Sequence, residues 1–323
     1  MRVLLTGASS FTGAWFARAL AADGHEVVAA LRGGDETGAG PRARRLAFAL
    51  EGGCEFVPES PFGGPGFLAL VKGRGPFDLL CHHGAEVGDH RRAGYDADAA
   101  AAAGTRGLEE VLDALAGAGG CRALLVTGTV YEADEGWGER PLRAFSPYGL
   151  AKTLAWHRFR FAAERRGLAL GKLVVASPFG PHEKEDGLPA HLVRAWLAGE
   201  VPLLRRPHLV RDHLPAAWLA AAYARFAAGL PGRGAGTFRA NPSGFAEPLG
   251  DFALRLAEVM APRLGRSCRV RWADPPEPAD EPLTRRNLEP LPELADAGTT
   301  AAMWDDYAGW WRSRAAGATA GGV

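Results

Sequence analysis

The chain has 323 residues, with 37 Lys and Arg set against 37 Asp and Glu. That neutral balance leaves no basic footprint for a nucleic acid, so a nucleic-acid partner is not expected. Hydrophobic residues are 47% and charged residues 23% of the chain, and no apolar run reaches the roughly 18 residues of a membrane span, so no membrane partner is expected either.

In chain order, Val3–Leu5 reads as a buried strand and Phe11–Ala22 as a helix with apolar residues at helical spacing. Val27–Leu31 is a second strand, Pro41–Leu50 a second helix and Glu55–Val57 a short third strand. Phe77–Cys81 is a fourth strand, followed by one long Ala-rich helix over Ala97–Leu115. Ala123–Thr127 is a fifth strand, Pro147–Arg166 a long helix and Leu173–Ala176 a sixth strand. Strands that are apolar throughout, alternating with helices, predict an α/β fold with a doubly wound parallel sheet covered on both faces. From Ser177 the pattern loosens and Pro-rich stretches appear at Trp272–Pro282 and Asn287–Pro292. Two parts are therefore expected: a dinucleotide-binding domain over residues 1–176 and a smaller domain over 177–323, mainly for substrate, with segments interleaved. The small residues of 315–323 predict a disordered tail.

Cys54, Cys81, Cys121 and Cys268 are scattered, with neither metal-ligand spacing nor a dense disulfide framework. The sequence opens on MRVLLTG, without a charged stretch leading into an apolar one. No metal and a cytoplasmic location are expected. Of the 37 basic residues, only four are Lys, so each Lys merits inspection.

The first strand runs into Thr6-Gly7-Ala8-Ser9-Ser10-Phe11-Thr12-Gly13 and then a helix. A Gly-rich turn at this place lets backbone N–H groups and the helix N-terminus meet a pyrophosphate. Gly7, Ser9, Ser10, Phe11, Thr12 and Gly13 are candidate cofactor residues, the alternative being a plain glycine turn. The second strand ends at Leu31 with Arg32 next, where an NAD enzyme usually carries an acid. A guanidinium suits a 2′-phosphate, which favours NADP(H) over NAD(H). Against this, Asp35 and Glu36 follow closely, and Arg32 has the simpler reading of a solvated loop residue.

Pro147-Tyr148-Gly149-Leu150-Ala151-Lys152 sets a Tyr and a Lys four residues apart on one helix face. A nearby ammonium favours the phenolate, so Tyr148 is a candidate acid/base and Lys152 its partner. Thr127, at the carboxyl end of the fifth strand, is placed to hydrogen-bond a reacting oxygen. His182 and Glu183 follow a Gly-Pro turn and are candidates for touching substrate. His82 and His83 close the fourth strand, where lining a cofactor pocket is a better reading than binding a metal.

Together these segments resemble the extended short-chain dehydrogenase/reductases, specifically the NAD-dependent epimerase/dehydratase group that acts on nucleotide sugars. The resemblance spans nearly the whole chain. It rests on Thr6–Gly13, His83-Gly84-Ala85, Gly104-Thr105, Thr127–Tyr131, Pro147–Lys152, Ser177-Pro178-Phe179-Gly180-Pro181, Arg211-Asp212 and Asn241-Pro242-Ser243-Gly244. It implies a Rossmann-type domain with a small substrate domain, and a catalytic set of Thr127, Tyr148 and Lys152. It adds His83, Gly84, Ala85 and Ser177 to the cofactor contacts. Thr129, His182 and Arg211 join Thr127 on the substrate side, with Arg211 toward the diphosphate. It also implies a homodimer, built on Ala97–Leu115 and Pro147–Arg166 with Leu154, Trp156, Phe159 and Phe161 shared between the core and the partner.

Four positions depart from the family pattern. Ser10 replaces the middle glycine of the turn, Ser60 an Asp near the adenine, Ala101 an Asn, and Ser177 another Asn. Family dehydratases place an Asp-Glu pair at the positions held here by Gly128 and Thr129, which disfavours dehydration. The expected function is an NAD(P)-dependent keto-sugar reductase or epimerase. The alternatives are a cofactor-binding regulator or scaffold without turnover, and a reductase of a carbonyl compound that carries no nucleotide.

Overall fold

The structure, a computed structural model, describes residues 1–34, 40–85, 94–274, 276–277 and 281–320. Asp35 and Glu36 fall outside the described residues. The chain forms two compact units. The first takes residues 1–135, 141–175 and 219–242, and the second takes 136–140, 176–218 and 243–323.

The first unit carries β1 (Arg2–Thr6), α1 (Phe11–Ala22), β2 (Glu26–Ala30), α2 (Pro41–Glu51), β3 (Glu55–Val57), α3 (Pro65–Arg74) and β4 (Leu79–His82). These lead to α4 (Ala97–Gly104), α5 (Leu108–Gly117) and β5 (Ala123–Thr129). A two-residue strand, β6 (Trp137–Gly138), belongs to the second unit, after which come α6 (Pro147–Arg166) and β7 (Ala169–Val175). The second unit continues with β8 (Ser177–Phe179), α7 (Leu188–Leu197), β9 (Leu203–Leu204) and β10 (Val210–Pro215). The next helix, α8 (Ala216–Gly229), leads into β11 (Gly236–Ala240), and β12 is Pro242–Ser243. The remainder is β13 (Phe245–Pro248), α9 (Leu249–Leu264), β14 (Arg271–Trp272), β15 (Arg285–Arg286), β16 (Glu289–Pro290), a 3-10 turn over Pro292–Ala295 and α10 (Ala297–Ala320).

The main sheet has seven strands in the order β3-β2-β1-β4-β5-β7-β11, all parallel. This is the doubly wound, Rossmann-type arrangement, whose order reverses between β1 and β4. One face packs Leu4, Leu80, Leu124 and Val126 against Phe67, Leu112, Trp156 and Phe159. In the same unit, Phe16 of α1 stacks on Tyr223 of α8, with ring centroids 3.9 Å apart. The second unit has its own core, in which Phe179, Trp196, Phe252, Met260, Trp304 and Tyr307 are buried.

Several expectations are corrected. The helix expected over Ala97–Leu115 is two, because Gly107 takes a left-handed φ of 57° and ends the run. A Cβ there would meet Gly63 O at 2.9 Å, so the break is also where two backbones press together. Helix α3 and strand β11 lay outside the sequence pattern, the first in a Gly-rich stretch and the second far along the chain. The sixth strand starts at Ala169, ahead of the expected Leu173. Of the expected disordered tail, residues 315–320 belong to α10, and 321–323 lie outside the described residues.

Helix α6 shows why the chemistry-bearing segment is stiff. Ser146 caps it by accepting a hydrogen bond from Gly149 N at 3.0 Å, and Pro147 fills the first turn, where no N–H is needed. Gly167 closes the other end in the left-handed conformation, with Arg165 and Arg166 in the last turn against the helix dipole. Trp156 and Phe159 are buried in the core of their own unit, at 3% and 0% exposure. Of the four side chains expected to be shared between the core and a partner, these two belong to the core. Leu150 and Phe161 are exposed, at 45% and 58%.

Candidate active site

The turn after β1 is built for close backbone approach. Gly7 has φ 82°, and a Cβ on it would lie 2.8 Å from Gly84 N. A Cβ on Gly13 would lie 2.1 Å from Gly7 O. Ser10, in place of the family's middle glycine, sits at φ −80° and ψ 167°, a conformation open to any residue. It serves as the N-cap of α1, its hydroxyl accepting from Gly13 N at 3.1 Å. The glycine is dispensable here because the backbone never enters glycine-only space.

His83 ties the end of β4 to this turn. Its Nε2 lies 3.1 Å from Ser10 Oγ and 3.0 Å from Thr12 Oγ1. Its neighbour His82 meets Thr6 Oγ1 through Nδ1 at 3.1 Å, and Thr6 Oγ1 also accepts from Gly84 N. Burial pulls both imidazoles down to about 3, with the Lys152 charge adding to it. Both are neutral at physiological pH and act here as hydrogen-bonding struts. Phe11 and Gly13 are buried and Ser9 is half-buried beside them, while Arg32 is exposed just past β2.

A pocket opens in the first unit, lined by Gly84, Ala85, Thr127, Tyr148 and Lys152 together with His82, Glu132 and Lys172. The structure thus gathers six of the residues expected from sequence, His82 included, around one cavity. Burial holds the Tyr148 phenol above its usual range, and the Glu132 carboxylate adds to this. Burial lowers the Lys152 ammonium, opposed by Glu132 and reinforced by Lys172. Thr127 Oγ1 is buried without a hydrogen bond of normal geometry, as is its neighbour Tyr223 Oη. A buried hydroxyl in that state is costly unless something else meets it. Thr129 is spent locally: its N–H donates to Glu132 Oε1 at 2.8 Å, and its hydroxyl accepts from Tyr131 N at 3.4 Å.

Ser177, His182 and Arg211 belong to the second unit. Ser177 lies on β8 opposite His213 of β10. His182 has a φ of 70°, unusual for a residue other than glycine, with its ring 6.0 Å from that of Trp310. Arg211 is buried and already engaged. It donates to Glu281 Oε2 at 2.6 Å, Val210 O at 2.8 Å, Pro282 O at 3.0 Å and Leu283 O at 3.2 Å. Among the described residues, no group of three or more His, Cys, Asp or Glu is placed to hold a metal ion, and no helix is long and apolar enough to cross a membrane.

The sequence reading missed Glu132, Glu135 and Lys172, which are almost fully buried at 1%, 2% and 1% exposure. Lys172 Nζ donates to Glu132 Oε2 at 2.5 Å and to Glu135 Oε1 at 2.7 Å, and sits 4.6 Å over the Trp156 ring. The signal was present in the run Leu168–Val175, where a Lys interrupts an otherwise apolar strand. A Lys there requires buried partners.

The family model for the NAD dependent epimerase/dehydratase family matches residues 3–229. No curated protein sequence matches. Solved structures of similar fold include a UDP-glucuronic acid 4-epimerase from Bacillus cereus, a Tyr-to-Phe variant bound to NAD and a fluorinated UDP-sugar. It superposes at a TM-score of 0.72 with 15% identity, over 97% of this chain and 99% of that one. A UDP-N-acetylglucosamine 4-epimerase from Methanobrevibacter ruminantium gives 0.71 at 16% identity, over 97% of this chain and 98% of that one. A dTDP-glucose 4,6-dehydratase from Streptomyces venezuelae, with NAD bound, gives 0.67 at 22% identity, over 97% of both chains.

Proposed function

Because the chain belongs to the NAD-dependent epimerase/dehydratase family, we propose that it is an NAD(P)-dependent enzyme acting on a nucleotide-activated sugar, as a keto-sugar reductase or an epimerase. The observation that carries this reading is the pairing of Tyr148 and Lys152, one turn apart on α6, in the wall of one pocket.

The residues present fit a dinucleotide. Gly7, Gly13 and Gly84 let the backbone fold tightly on itself where a Cβ would strike protein atoms, which sets the N-terminus of α1 directly after β1, where a helix end suits a pyrophosphate. Ser10, Thr12 and His83 hold that turn in shape. When bound, the dinucleotide exchanges a hydride with the reacting carbon. Tyr148 gives a proton to the oxygen on that carbon, or takes one from it. Lys152 tunes that phenol and orients the nicotinamide ribose. Thr127, in the same wall, is the hydroxyl proposed to meet the same oxygen. Arg32, past the tip of β2 where an acid would repel a 2′-phosphate, supports NADP(H) over NAD(H).

Dehydration is disfavoured on steric grounds as well as by residue type. Residue 128 is Gly, and a Cβ on it would lie 2.5 Å from Lys172 Cε and 2.9 Å from Glu132 Oε1. No acid fits at that position while the buried pair stands. In the second unit, Arg211 is the group proposed for the diphosphate, His182 for the sugar and Ser177 for the cofactor. A homodimer through α6 is supported by the exposed Leu150 and Phe161. A cytoplasmic enzyme fits this cofactor chemistry.

The test is a thermal-shift screen of UDP-, dTDP- and GDP-sugars with NAD(H) and NADP(H), followed by turnover assays on whatever binds. A ligand that binds only the folded state stabilises it with the logarithm of its concentration over Kd. Stabilisation by a dinucleotide and a nucleotide sugar together is expected. Stabilisation by neither class overturns the reading.

A further inference from the structure

The pocket that holds Tyr148 and Lys152 has an ionic wall that the proposed chemistry does not itself require. Lys172 points from β7 across the face of the sheet, from the position opposite Val126 in the β5 register. Its stem passes where the Cβ of residue 128 would be, so Gly128 is what admits it. Its ammonium bridges Glu132 and Glu135, at 2.5 Å and 2.7 Å. Glu132 is anchored at both oxygens, Oε2 by Lys172 and Oε1 by Thr129 N. Glu135 has a second cation in Arg239, at 3.3 Å. The two carboxylates therefore share one buried ammonium, and only Glu135 has further help from Arg239.

Glu132 stands in the pocket wall that it shares with Lys152. The charged and titratable groups around Lys152 are few among the described residues. His82 and His83 come from the end of β4 and are neutral. Tyr95 precedes α4, and Tyr148 is on α6 itself; both are phenols. Lys172 comes from β7 and is a like charge. Glu132, in the turn after β5, is the carboxylate among the described residues that acts on Lys152.

We propose that Glu132 is a positioning residue: anchored by Lys172 and the Thr129 N–H, its carboxylate sets the charge carried by Lys152, the partner of Tyr148 in the same wall. This rests on the reading of Tyr148 and Lys152 as the acid/base pair. Lys172 plays the opposing part, both as the clamp on Glu132 and as a cation in the same wall. A buried charge acts strongly on its neighbours because little water screens it.

The proposal dictates the signs of three shifts in the Lys152 titration. Glu132→Gln removes the anion from the wall that holds Lys152 and leaves Lys172 with Glu135 alone, so Lys152 loses its proton more easily. Lys172→Met removes the like charge, so Lys152 keeps its proton longer. In the double variant the two changes oppose each other. A role confined to packing has no reason to give shifts of opposite sign.

The experiment needs no substrate. The chain has only four lysines, Lys72, Lys152, Lys172 and Lys184. Protein carrying 13C at the lysine Cε is titrated by NMR from about pH 6 to about pH 11, around the usual lysine range. The Lys152 signal is assigned from its loss in Lys152→Arg. In Glu132→Gln the Lys152 midpoint is expected to fall by about one pH unit or more, a tenfold change in the proton equilibrium. In Lys172→Met it is expected to rise. In Glu132→Gln/Lys172→Met it is expected to return to within about half a unit of the parent. Circular dichroism checks that each variant is folded. If Glu132→Gln does not fold, Lys172→Met and the double variant, which removes both members of the buried ion pair together, decide the matter. A Lys152 midpoint that stays put, or that moves the same way in both single variants, overturns the proposal. Failure of the broader functional reading shows separately, as an absence of dinucleotide binding by parent protein whose Lys152 titration still follows these signs.

Discussion

Arg211 and Glu281 meet at 2.6 Å, with the Arg211 side chain 7% exposed and that of Glu281 31% exposed. The guanidinium proposed for a substrate diphosphate is thus already occupied by a carboxylate and three backbone carbonyls. A diphosphate reaching Arg211 has to displace Glu281, which makes Glu281 a competitor built into the chain. Glu281→Ala is expected to tighten UDP binding by on the order of fivefold, about 1 kcal/mol, as for a partly exposed ion pair. Isothermal titration of UDP into both proteins measures it. Unchanged or weaker binding would mean that Arg211 is a structural residue and that the diphosphate is held elsewhere.

Tyr148→Phe is expected to abolish most turnover on whichever nucleotide sugar the enzyme accepts, by about 10²–10⁴-fold. The phenol transfers a proton and does not dock the dinucleotide, so cofactor affinity should stay within about twofold. Parallel measurements of kcat and of cofactor Kd separate the two. A variant that keeps half its activity removes Tyr148 from the chemistry.

Gly128→Ala places a methyl group 2.5 Å from Lys172 Cε and 2.9 Å from Glu132 Oε1. Lys172 has no slack, because its ammonium is held by two buried carboxylates. Overpacking of this kind costs about 1–3 kcal/mol. Chemical denaturation should show a loss in that range. A neutral result would mean that the lysine stem has an alternative path.

Much of this site was legible in the sequence because it lies at places the fold dictates. A Gly-rich turn after the first strand, and a Tyr and Lys one helical turn apart after the fifth, follow from backbone geometry and the helical repeat. The Lys172 cluster was harder to read. Its partners Glu132 and Glu135 are 40 and 37 residues away, and pairing at that range depends on strand register, which single-sequence periodicity does not reveal. The break between α4 and α5 escaped for a related reason. Gly107 stood in an Ala-rich helical pattern, and what ends the helix is the tertiary approach of the Gly63 backbone. How Leu154, Trp156, Phe159 and Phe161 divide between the core and a partner was open in the sequence, because apolar character alone does not say which surface a side chain joins. The commitment of Arg211 to Glu281 likewise depends on a contact 70 residues away.

Arg32 sets the cofactor expectation. The 2′-phosphate of NADPH brings about two negative charges to the tip of β2. A guanidinium there favours it by charge and by its fork of donors. Binding of NADPH at least about tenfold tighter than NADH is expected, or 1.4 kcal/mol, with most of the margin lost in Arg32→Ala. Fluorescence titration with each reduced cofactor measures both. Equal affinities, or a margin indifferent to Arg32, point to NAD and to an enzyme that keeps its cofactor through a full cycle.

Glu183 gives the second unit a pH dependence whose sign is fixed. It is buried, 7% exposed, and Tyr307 donates a hydrogen bond to its Oε1 at 2.5 Å. Burial raises the carboxyl to about 8, partly offset by that hydrogen bond and others. In the unfolded chain the same group titrates near 4.5. Below about pH 4.5 it is protonated in both states, and its contribution to stability is fully present. Between about pH 4.5 and about pH 8 the unfolded chain releases the proton while the folded one keeps it. Stability therefore falls as pH rises through that window, by at most about 1.4 kcal/mol per pH unit from this group. Above about pH 8 the folded state ionises too and the fall ends. Thermal unfolding at pH 5, 6, 7 and 8 should show a declining Tm in the parent. In Glu183→Gln, which stays neutral and can still accept from Tyr307, the decline should flatten, with the largest gain over the parent at pH 8. A Gln variant that tracks the parent across this range would show that Glu183 is ionised in the folded protein.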